Sequence, residues 1–167
     1  MAEQRRDPSV LHAAAALGII LVFVFAFAAA AGWATQVEPG GWYDSLEKPG
    51  LTPPDIVFPI VWNILYLMMA MAAWLVWYQG GGLSAAGKPL AIFGIQMMLN
   101  LSWSVIFFGL HRPGLAALEI LVLLGAIAFT IKSFAPISRT AAAMLVPYFL
   151  WVLFAAYLNS AVWLLNG

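Results

Sequence analysis

Few side chains in this sequence are suited to covalent or metal chemistry. The chain has no cysteine and only two histidines, His12 and His111, which lie far apart in the sequence. A metal site needs several ligands close together, so no metal site is predicted, and thiol catalysis is excluded. Asp44 and Glu47 are close in sequence, but no nucleophile–base pattern surrounds them. We expect them to keep a loop soluble and to pair locally with Lys48.

The residues that do stand out are aromatic. Eight of the 167 residues are tryptophan, and several recur at helical spacing with tyrosine, phenylalanine and asparagine. Three stretches show this spacing: Trp62, Tyr66 and Met69; Asn100, Trp103 and Phe107; and Tyr148, Trp151, Ala155 and Asn159. Each stretch therefore presents an aromatic face with a few neutral hydrogen-bonding groups.

The elements that carry these faces must lie in a membrane. Apolar residues make up 64% of the chain and charged residues 8%, whereas a soluble domain has roughly 25% charged residues. The mean hydropathy is +0.94. Seven Lys and Arg residues balance seven Asp and Glu residues, so the composition excludes a soluble enzyme, a disordered protein and a nucleic-acid-binding protein. We predict an all-α integral membrane protein whose outer surface contacts lipid.

Five apolar segments are long enough to cross a bilayer, which requires roughly 20 helical residues. The predicted spans are residues 11–33, 55–78, 90–110, 115–134 and 141–163. The first segment is longer than the apolar region of a signal peptide, about 7–15 residues, which favours a true span. Because the connections are short and no internal repeat is evident, residues 1–167 are expected to form one five-transmembrane-helix bundle.

Basic residues indicate the orientation of the bundle, since they accumulate on the cytoplasmic side. Five lie on the side of the N-terminus: Arg5, Arg6, Lys88, Lys132 and Arg139. Two lie on the opposite side, Lys48 and Arg112. We therefore predict a multi-pass protein of a bacterial cell envelope membrane, with its N-terminus in the cytoplasm.

Depth in the bilayer divides the tryptophans into two groups. Four lie near span ends, where indole rings anchor at the headgroups: Trp33, Trp74, Trp77 and Trp163. Three lie deeper or on the aromatic faces: Trp62, Trp103 and Trp151. A buried indole N–H needs a partner that lipid does not supply, so these three are expected to face the bundle interior. Their spacing fits two roles equally well, helix–helix contact or a pocket for a large, flat, mostly apolar ligand.

The first loop, residues 34–54, favours the pocket. Pro49, Pro53 and Pro54 restrict its backbone, because proline limits both its own conformation and that of the preceding residue. A stiff loop of this kind is suited to place Trp42 and Tyr43 over the mouth of the bundle as a lid. The alternative is an interfacial loop in which Trp42 and Tyr43 serve only as anchors.

Four motifs occur in order along this loop and the predicted spans. They are W-Y-x-x-L-x-K-P-x-x-x-P-P from Trp42 to Pro54, F-x-x-x-W-x-x-L-Y-x-x-M from Phe58 to Met69, N-x-x-W-x-x-x-F-F-G from Asn100 to Gly109, and P-Y-x-x-W-x-x-F-A-x-x-L-N from Pro147 to Asn159. Over roughly residues 15–163 the chain resembles the TspO/MBR family, the tryptophan-rich sensory and translocator proteins.

This resemblance implies a five-helix bundle, usually a homodimer, that binds porphyrins such as protoporphyrin IX and haem and requires no cofactor. Sterols and benzodiazepine-type drugs are further ligands of the family. Carried over by position, the ligand-binding residues would be Trp42, Tyr43, Phe58, Trp62, Asn100, Trp103, Trp151, Ala155 and Leu158. The segment 158–164 lacks the tyrosine and basic residue of the family's sterol-recognition pattern, which puts sterol transport in doubt.

Our leading hypothesis is a membrane tetrapyrrole-binding protein that acts in porphyrin transport, sensing or disposal. One alternative is an enzyme that degrades bound porphyrin in the light, with Trp42 and Trp151 as the redox-active neighbours. Another is a regulatory subunit of a membrane complex that binds no ligand. The aromatic faces favour the first two hypotheses, because a pure scaffold would not require them.

Overall fold

The fold is a bundle of five long apolar helices, as the sequence predicts. The computed structural model describes residues 9–35 and 40–167, so Arg5 and Arg6, on which part of the predicted orientation depends, lie outside the described residues. All regular secondary structure in these two ranges is helical. The helices are α1 (Val10–Ala34), α2 (Trp42–Ser45), α3 (Val57–Gln79), α4 (Leu83–Ser104), α5 (Pro113–Phe134), α6 (Arg139–Met144) and α7 (Val146–Asn166).

Three of the predicted spans agree with the structure to within two residues at each end: α1, α3 and α5 are the first, second and fourth spans. Their ends follow from local sequence. Ser9 caps α1 by accepting a hydrogen bond from the His12 N–H at 3.4 Å, and Pro113 opens α5, where its missing N–H costs no helical hydrogen bond.

The third span is longer than predicted, because α4 begins at Leu83 rather than at residue 90. Gly81 and Gly82 form the preceding turn with φ of +69° and +94°, a conformation that glycine adopts without strain. The helix then continues through Pro89, which lies inside α4. At its other end α4 becomes the π-helical turn Val105–Gly109, closed by a 2.8 Å hydrogen bond from Leu110 N–H to Val105 O.

The fifth span is interrupted rather than continuous. Its two parts, α6 and α7, meet at Leu145. Pro147 explains the interruption: it has no N–H to donate to the carbonyl four residues earlier, so the regular helical pattern breaks just before it.

The main core lies between α3, α4, α5 and α7, where side chains such as Met69, Met97, Ile127 and Val152 are buried. Small residues of α3, including Ala70, are fully buried there, which allows neighbouring helices to approach closely, as in other membrane bundles. Toward the first loop, α1, α3, α4 and α7 line a cavity instead.

Polar side chains also join neighbouring helices. The Trp74 indole N–H donates to the carbonyl oxygen of Ala13 at 3.0 Å, linking α3 to α1. Trp74 therefore holds two helices together in addition to lying near a span end. The Ser102 hydroxyl donates to a Glu119 carboxylate oxygen at 3.2 Å, linking α4 to α5.

Candidate ligand cavity

A cavity of about 920 Å³ lies beneath the first loop, between α1, α3, α4 and α7. This volume is near the upper end of the range for small-molecule sites, about 300–1,000 Å³. Most of its wall is aromatic or aliphatic, and the charged lining residues all come from the first loop and its junction with α3. The cavity thus combines an apolar interior with a charged mouth.

Seven of the nine ligand-binding residues implied by the resemblance line this cavity. They are Tyr43, Phe58, Trp62, Trp103, Trp151, Ala155 and Leu158. Residues from a loop and three different helices are therefore brought together around one space. Trp42 and Asn100 lie outside the lining.

Trp42 lies on the side of the loop that faces the turn between α4 and α5. Its indole stacks on the His111 ring with a centroid separation of 4.3 Å and an interplanar angle of 15°. It also makes an edge contact with Phe107 at 5.7 Å. Phe107 lines the cavity, whereas Trp42 does not. The short helix α2 explains this placement, because its geometry sends Trp42 and Tyr43 in different directions.

Asn100 lies behind the cavity wall rather than in it. Its side-chain oxygen accepts a hydrogen bond from the Tyr66 hydroxyl at 3.0 Å, and its amide donates to the Tyr148 hydroxyl at 2.9 Å. All three residues are buried, and Tyr66 also lines the cavity. Asn100 therefore joins α3, α4 and α7 and fixes the position of Tyr66.

The wall contributed by α4 is a group of three rings. Trp103 stacks near Phe107 with centroids 5.5 Å apart and meets Phe108 edge-on at 5.9 Å. The Trp103 indole N–H donates to Asn159 at 2.9 Å, and Asn159 in turn donates to the Pro113 carbonyl oxygen at 2.8 Å. Trp103 thus has the interior hydrogen-bond partner that its depth requires.

The wall contributed by α3 and α7 is also aromatic. Trp62 packs against Tyr66 at 5.5 Å, and Phe58 meets Trp151 edge-on at 5.9 Å. The Nε1 atom of Trp151 is buried and has no hydrogen-bond partner among the described residues. Buried donors of this kind are uncommon in folded proteins.

The mouth of the cavity is formed by the first loop. The Tyr43 ring lies 5.4 Å from that of Phe108, and the Lys48 ammonium lies 4.0 Å from the Tyr43 ring centre. Lys48 also pairs with Asp44 at 3.8 Å, the local pairing that the sequence predicts. Burial, together with the nearby carboxylates of Asp55 and Asp44, raises the pKa of the Tyr43 hydroxyl above its usual value. Tyr43 therefore stays a neutral hydrogen-bond donor throughout the physiological range.

Several lining residues were missed by the sequence analysis. The largest omission is α1, where Phe25, Ala28, Ala29 and Gly32 line the cavity. These positions are spaced i, i+3, i+4 and i+7, so a helical face was visible in the sequence. Small residues in an apolar helix resemble ordinary lipid-facing sequence, so this spacing alone does not indicate a cavity wall.

Comparison with known proteins agrees with the motifs. The sequence matches the TspO/MBR family over residues 18–164. "Tryptophan-rich protein TspO" of Chlorobaculum tepidum is 41% identical over 137 residues, which cover 81% of this chain and 87% of that protein. "Translocator protein" of Homo sapiens is 39% identical over 123 residues, 73% of each chain. "Protein CrtK" of Rhodobacter capsulatus is 38% identical over 128 residues, 77% of this chain and 80% of that protein.

These matches and the five apolar helices agree on the class of protein. The helices make the chain a multi-pass integral membrane protein. The extent of the family match and the identities to three named relatives confirm the resemblance carried by the four motifs, and the chain belongs to the TspO/MBR family.

Proposed function

We propose that this protein binds a porphyrin, such as protoporphyrin IX or haem, in the cavity beneath the first loop, and acts in porphyrin transport, sensing or disposal. The observation that carries the proposal is the cavity itself: about 920 Å³, lined by aromatic side chains from the first loop and four helices. The membership of the protein in the TspO/MBR family supports the same proposal.

The chemistry of the wall suits a flat aromatic ligand. Aromatic rings attract one another in offset-stacked or edge-on arrangements, at centroid separations of about 4.5–7 Å. Trp62, Trp103 and Trp151 line the cavity from three different helices, so a macrocycle inside it has indole neighbours on several sides. Non-directional apolar contacts supply most of the affinity of such sites, and a few polar groups set the orientation.

The size of the cavity argues against a role as a pure scaffold. Protein interiors are normally packed as densely as organic crystals, and the walls of an empty space lose their dispersion contacts. Folding alone therefore does not favour a cavity of this volume within a bundle whose remaining core is well packed. A regulatory subunit that binds no ligand has no use for it.

Light-dependent degradation of the bound porphyrin is a second candidate function. The observation in its favour is that oxidisable indoles, including that of Trp151, line the cavity. Trp42, the other residue proposed for this chemistry, lies behind Phe107. The photochemical hypothesis therefore depends on Trp151 rather than on Trp42.

Filling the cavity provides the test. A Cβ atom added at Gly32 of α1 meets no heavy atom within 4 Å, and Gly32 lines the cavity, so Gly32→Phe places a ring in the open space without removing an aromatic residue. Gly18→Phe is the matched control, because Gly18 is also on α1, is exposed and has equal room. Protoporphyrin IX is titrated against both variants in detergent, with quenching of tryptophan fluorescence as the signal.

We expect Gly32→Phe to weaken porphyrin binding by about tenfold or more, since overfilling a packed site costs about 1–3 kcal/mol. Gly18→Phe should bind as the wild type does. If all three proteins bind with the same affinity, the porphyrin lies elsewhere, on the lipid-facing surface or in the detergent, and the proposal fails.

A further inference from the structure

The charges at the cavity mouth are unequal. Among the lining residues in the described part of the chain, Lys48 carries the one positive charge, whereas Asp44 and Asp55 carry two negative charges. A porphyrin with carboxylate side chains would therefore meet a single attractive group at the mouth and two repulsive ones. The position of Lys48 decides where such a carboxylate can lie.

Lys48 is held in place without its hydrogen-bonding capacity being used. Its ammonium lies 4.0 Å from the Tyr43 ring centre, within the range of a cation–π contact. It lies 3.8 Å from Asp44 Oδ1, a distance longer than a hydrogen bond, for which charged N–H···O contacts measure about 2.7–2.9 Å. An ammonium has three N–H donors, so Lys48 is positioned and still has donors to offer.

Asp44 has an anchor of its own. Its Oδ2 atom accepts a hydrogen bond from the Gly40 N–H at 2.9 Å, while Oδ1 faces Lys48. Asp44 would therefore remain in place if Lys48 turned toward another anion. The weak Asp44–Lys48 pair is the contact that such an anion would replace.

The other polar groups near the mouth already donate within the protein. The Thr52 hydroxyl donates to Pro49 O at 2.7 Å, and the Asn63 amide donates to Pro59 O at 2.8 Å. The Thr35 hydroxyl donates to Gly32 O at 3.1 Å. Each threonine hydroxyl has no further hydrogen to donate, and the Asn63 amide has one left. Lys48 is therefore the charged donor for a carboxylate at the mouth, assisted by the neutral Tyr43 hydroxyl.

We infer that Lys48 orients the ligand: its ammonium binds one ligand carboxylate, which replaces Asp44 as its partner. The site therefore selects flat aromatic ligands that bear a carboxylate at the edge facing the first loop. This inference rests on the proposed function. Asp44 and Asp55 would repel a second ligand carboxylate placed beside the first. The second carboxylate would therefore point away from these two residues, toward solvent. Asp44 thus lowers affinity for the anionic ligand while it holds Lys48 ready.

The test compares two probes that share one macrocycle: protoporphyrin IX, which has two carboxylates, and its dimethyl ester, which has none. Lys48→Met removes the charge but keeps an unbranched apolar side chain against Tyr43, and Lys48→Arg retains the charge. Asp44→Asn removes the competing charge and keeps an oxygen for the Gly40 N–H. Lys88→Met, at an exposed position near the start of α4, is the control for loss of a positive charge elsewhere.

For Lys48→Met we expect the affinity for protoporphyrin IX to fall about tenfold, the usual effect of losing one charged hydrogen bond, with the affinity for the ester unchanged. Lys48→Arg should restore binding of the acid. Asp44→Asn should increase the affinity for the acid about threefold, as expected when a weak exposed ion pair no longer competes, without affecting the ester. Lys88→Met should change neither.

Two results overturn the inference while leaving the proposed function intact. One is an equal loss of affinity for both probes in Lys48→Met, which would mean that Lys48 contributes only packing. The other is unchanged binding of both probes in Lys48→Met. If wild-type protein binds neither probe, the proposed function itself fails, and the inference fails with it.

Discussion

The side-chain amide of Asn166 holds the backbone of Glu47 at both of its polar groups. Asn166 Oδ1 accepts from the Glu47 N–H at 2.9 Å, and Asn166 Nδ2 donates to the Glu47 carbonyl oxygen at 3.0 Å. The two residues are 119 positions apart, so the last residue of α7 holds the first loop over the cavity. The contact also places the first loop and the end of α7 on the same side of the bundle, as expected for five spans.

Removing this contact should loosen the loop. In Asn166→Ala the Glu47 N–H loses its acceptor, and we expect its amide hydrogen exchange to accelerate about tenfold, since one hydrogen bond contributes about 0.5–1.5 kcal/mol to local stability. Leu165→Ala, at a neighbouring exposed position, is the control and should leave the exchange unchanged. Mass-spectrometric exchange on the peptide containing Glu47 measures both. Identical rates in the two variants would show that other contacts hold the loop.

The buried polar group formed by Tyr66, Asn100 and Tyr148 should matter for stability. In Asn100→Ala, two buried hydroxyl groups lose their partner, which costs about 1–3 kcal/mol in soluble proteins and somewhat less within membranes. We expect a clear fall in the thermal unfolding midpoint in detergent. Asn63→Ala is the comparison, because the Asn63 side chain is exposed and makes only a local hydrogen bond within α3. A midpoint for Asn100→Ala as high as that for Asn63→Ala would contradict the structural role assigned to Asn100.

Phenylalanine variants of Trp42 and Trp151 can distinguish porphyrin binding from porphyrin photochemistry. Phenylalanine offers an aromatic face but is harder to oxidise than indole, so both Trp42→Phe and Trp151→Phe should bind protoporphyrin IX about as well as the wild type. Any light-dependent loss of porphyrin absorbance should slow in Trp151→Phe alone, because Trp151 lines the cavity and Trp42 does not. The measurement is absorbance decay at saturating porphyrin under constant illumination. Slowing in Trp42→Phe alone would mean that the reactive indole is outside the cavity.

Gly114 is required by the close approach of Trp163. A Cβ atom at position 114 would lie 2.8 Å from Trp163 Nε1, so Gly114→Ala must displace the indole at the end of α7. We expect destabilisation of about 1–3 kcal/mol, typical of overpacking. Gly125→Ala on the same helix meets no heavy atom within 4 Å and should be neutral or stabilising by about 0.5–1 kcal/mol. Thermal unfolding of both variants decides the matter, and equal midpoints would argue against the contact.

The sequence by itself determined the membrane class, the five spans and the family. These properties depend on local features: the length of each apolar run sets whether a helix can cross the bilayer, and the motifs are strings of neighbouring residues. The effects of Ser9 at the start of α1 and of Pro113 at the start of α5 also involve only the adjacent backbone, although the predicted fourth span begins two residues after Pro113. The interior position of Trp103 also follows from sequence, since an indole N–H at that depth needs a polar partner.

The tertiary structure decided which residues of each face reach the cavity. Asn100 and Trp103 share a face of α4, yet Tyr66 and Tyr148 enclose Asn100 while Trp103 remains on the wall. Trp42 and Tyr43 are adjacent in the sequence, yet one stacks on His111 and the other lines the cavity. Helical periodicity specifies the direction of a side chain about its own axis, but what lies in that direction depends on how neighbouring helices pack. For the same reason, only the tertiary structure shows that the face of α1 with helical spacing lines the cavity, and that Glu47 contacts Asn166.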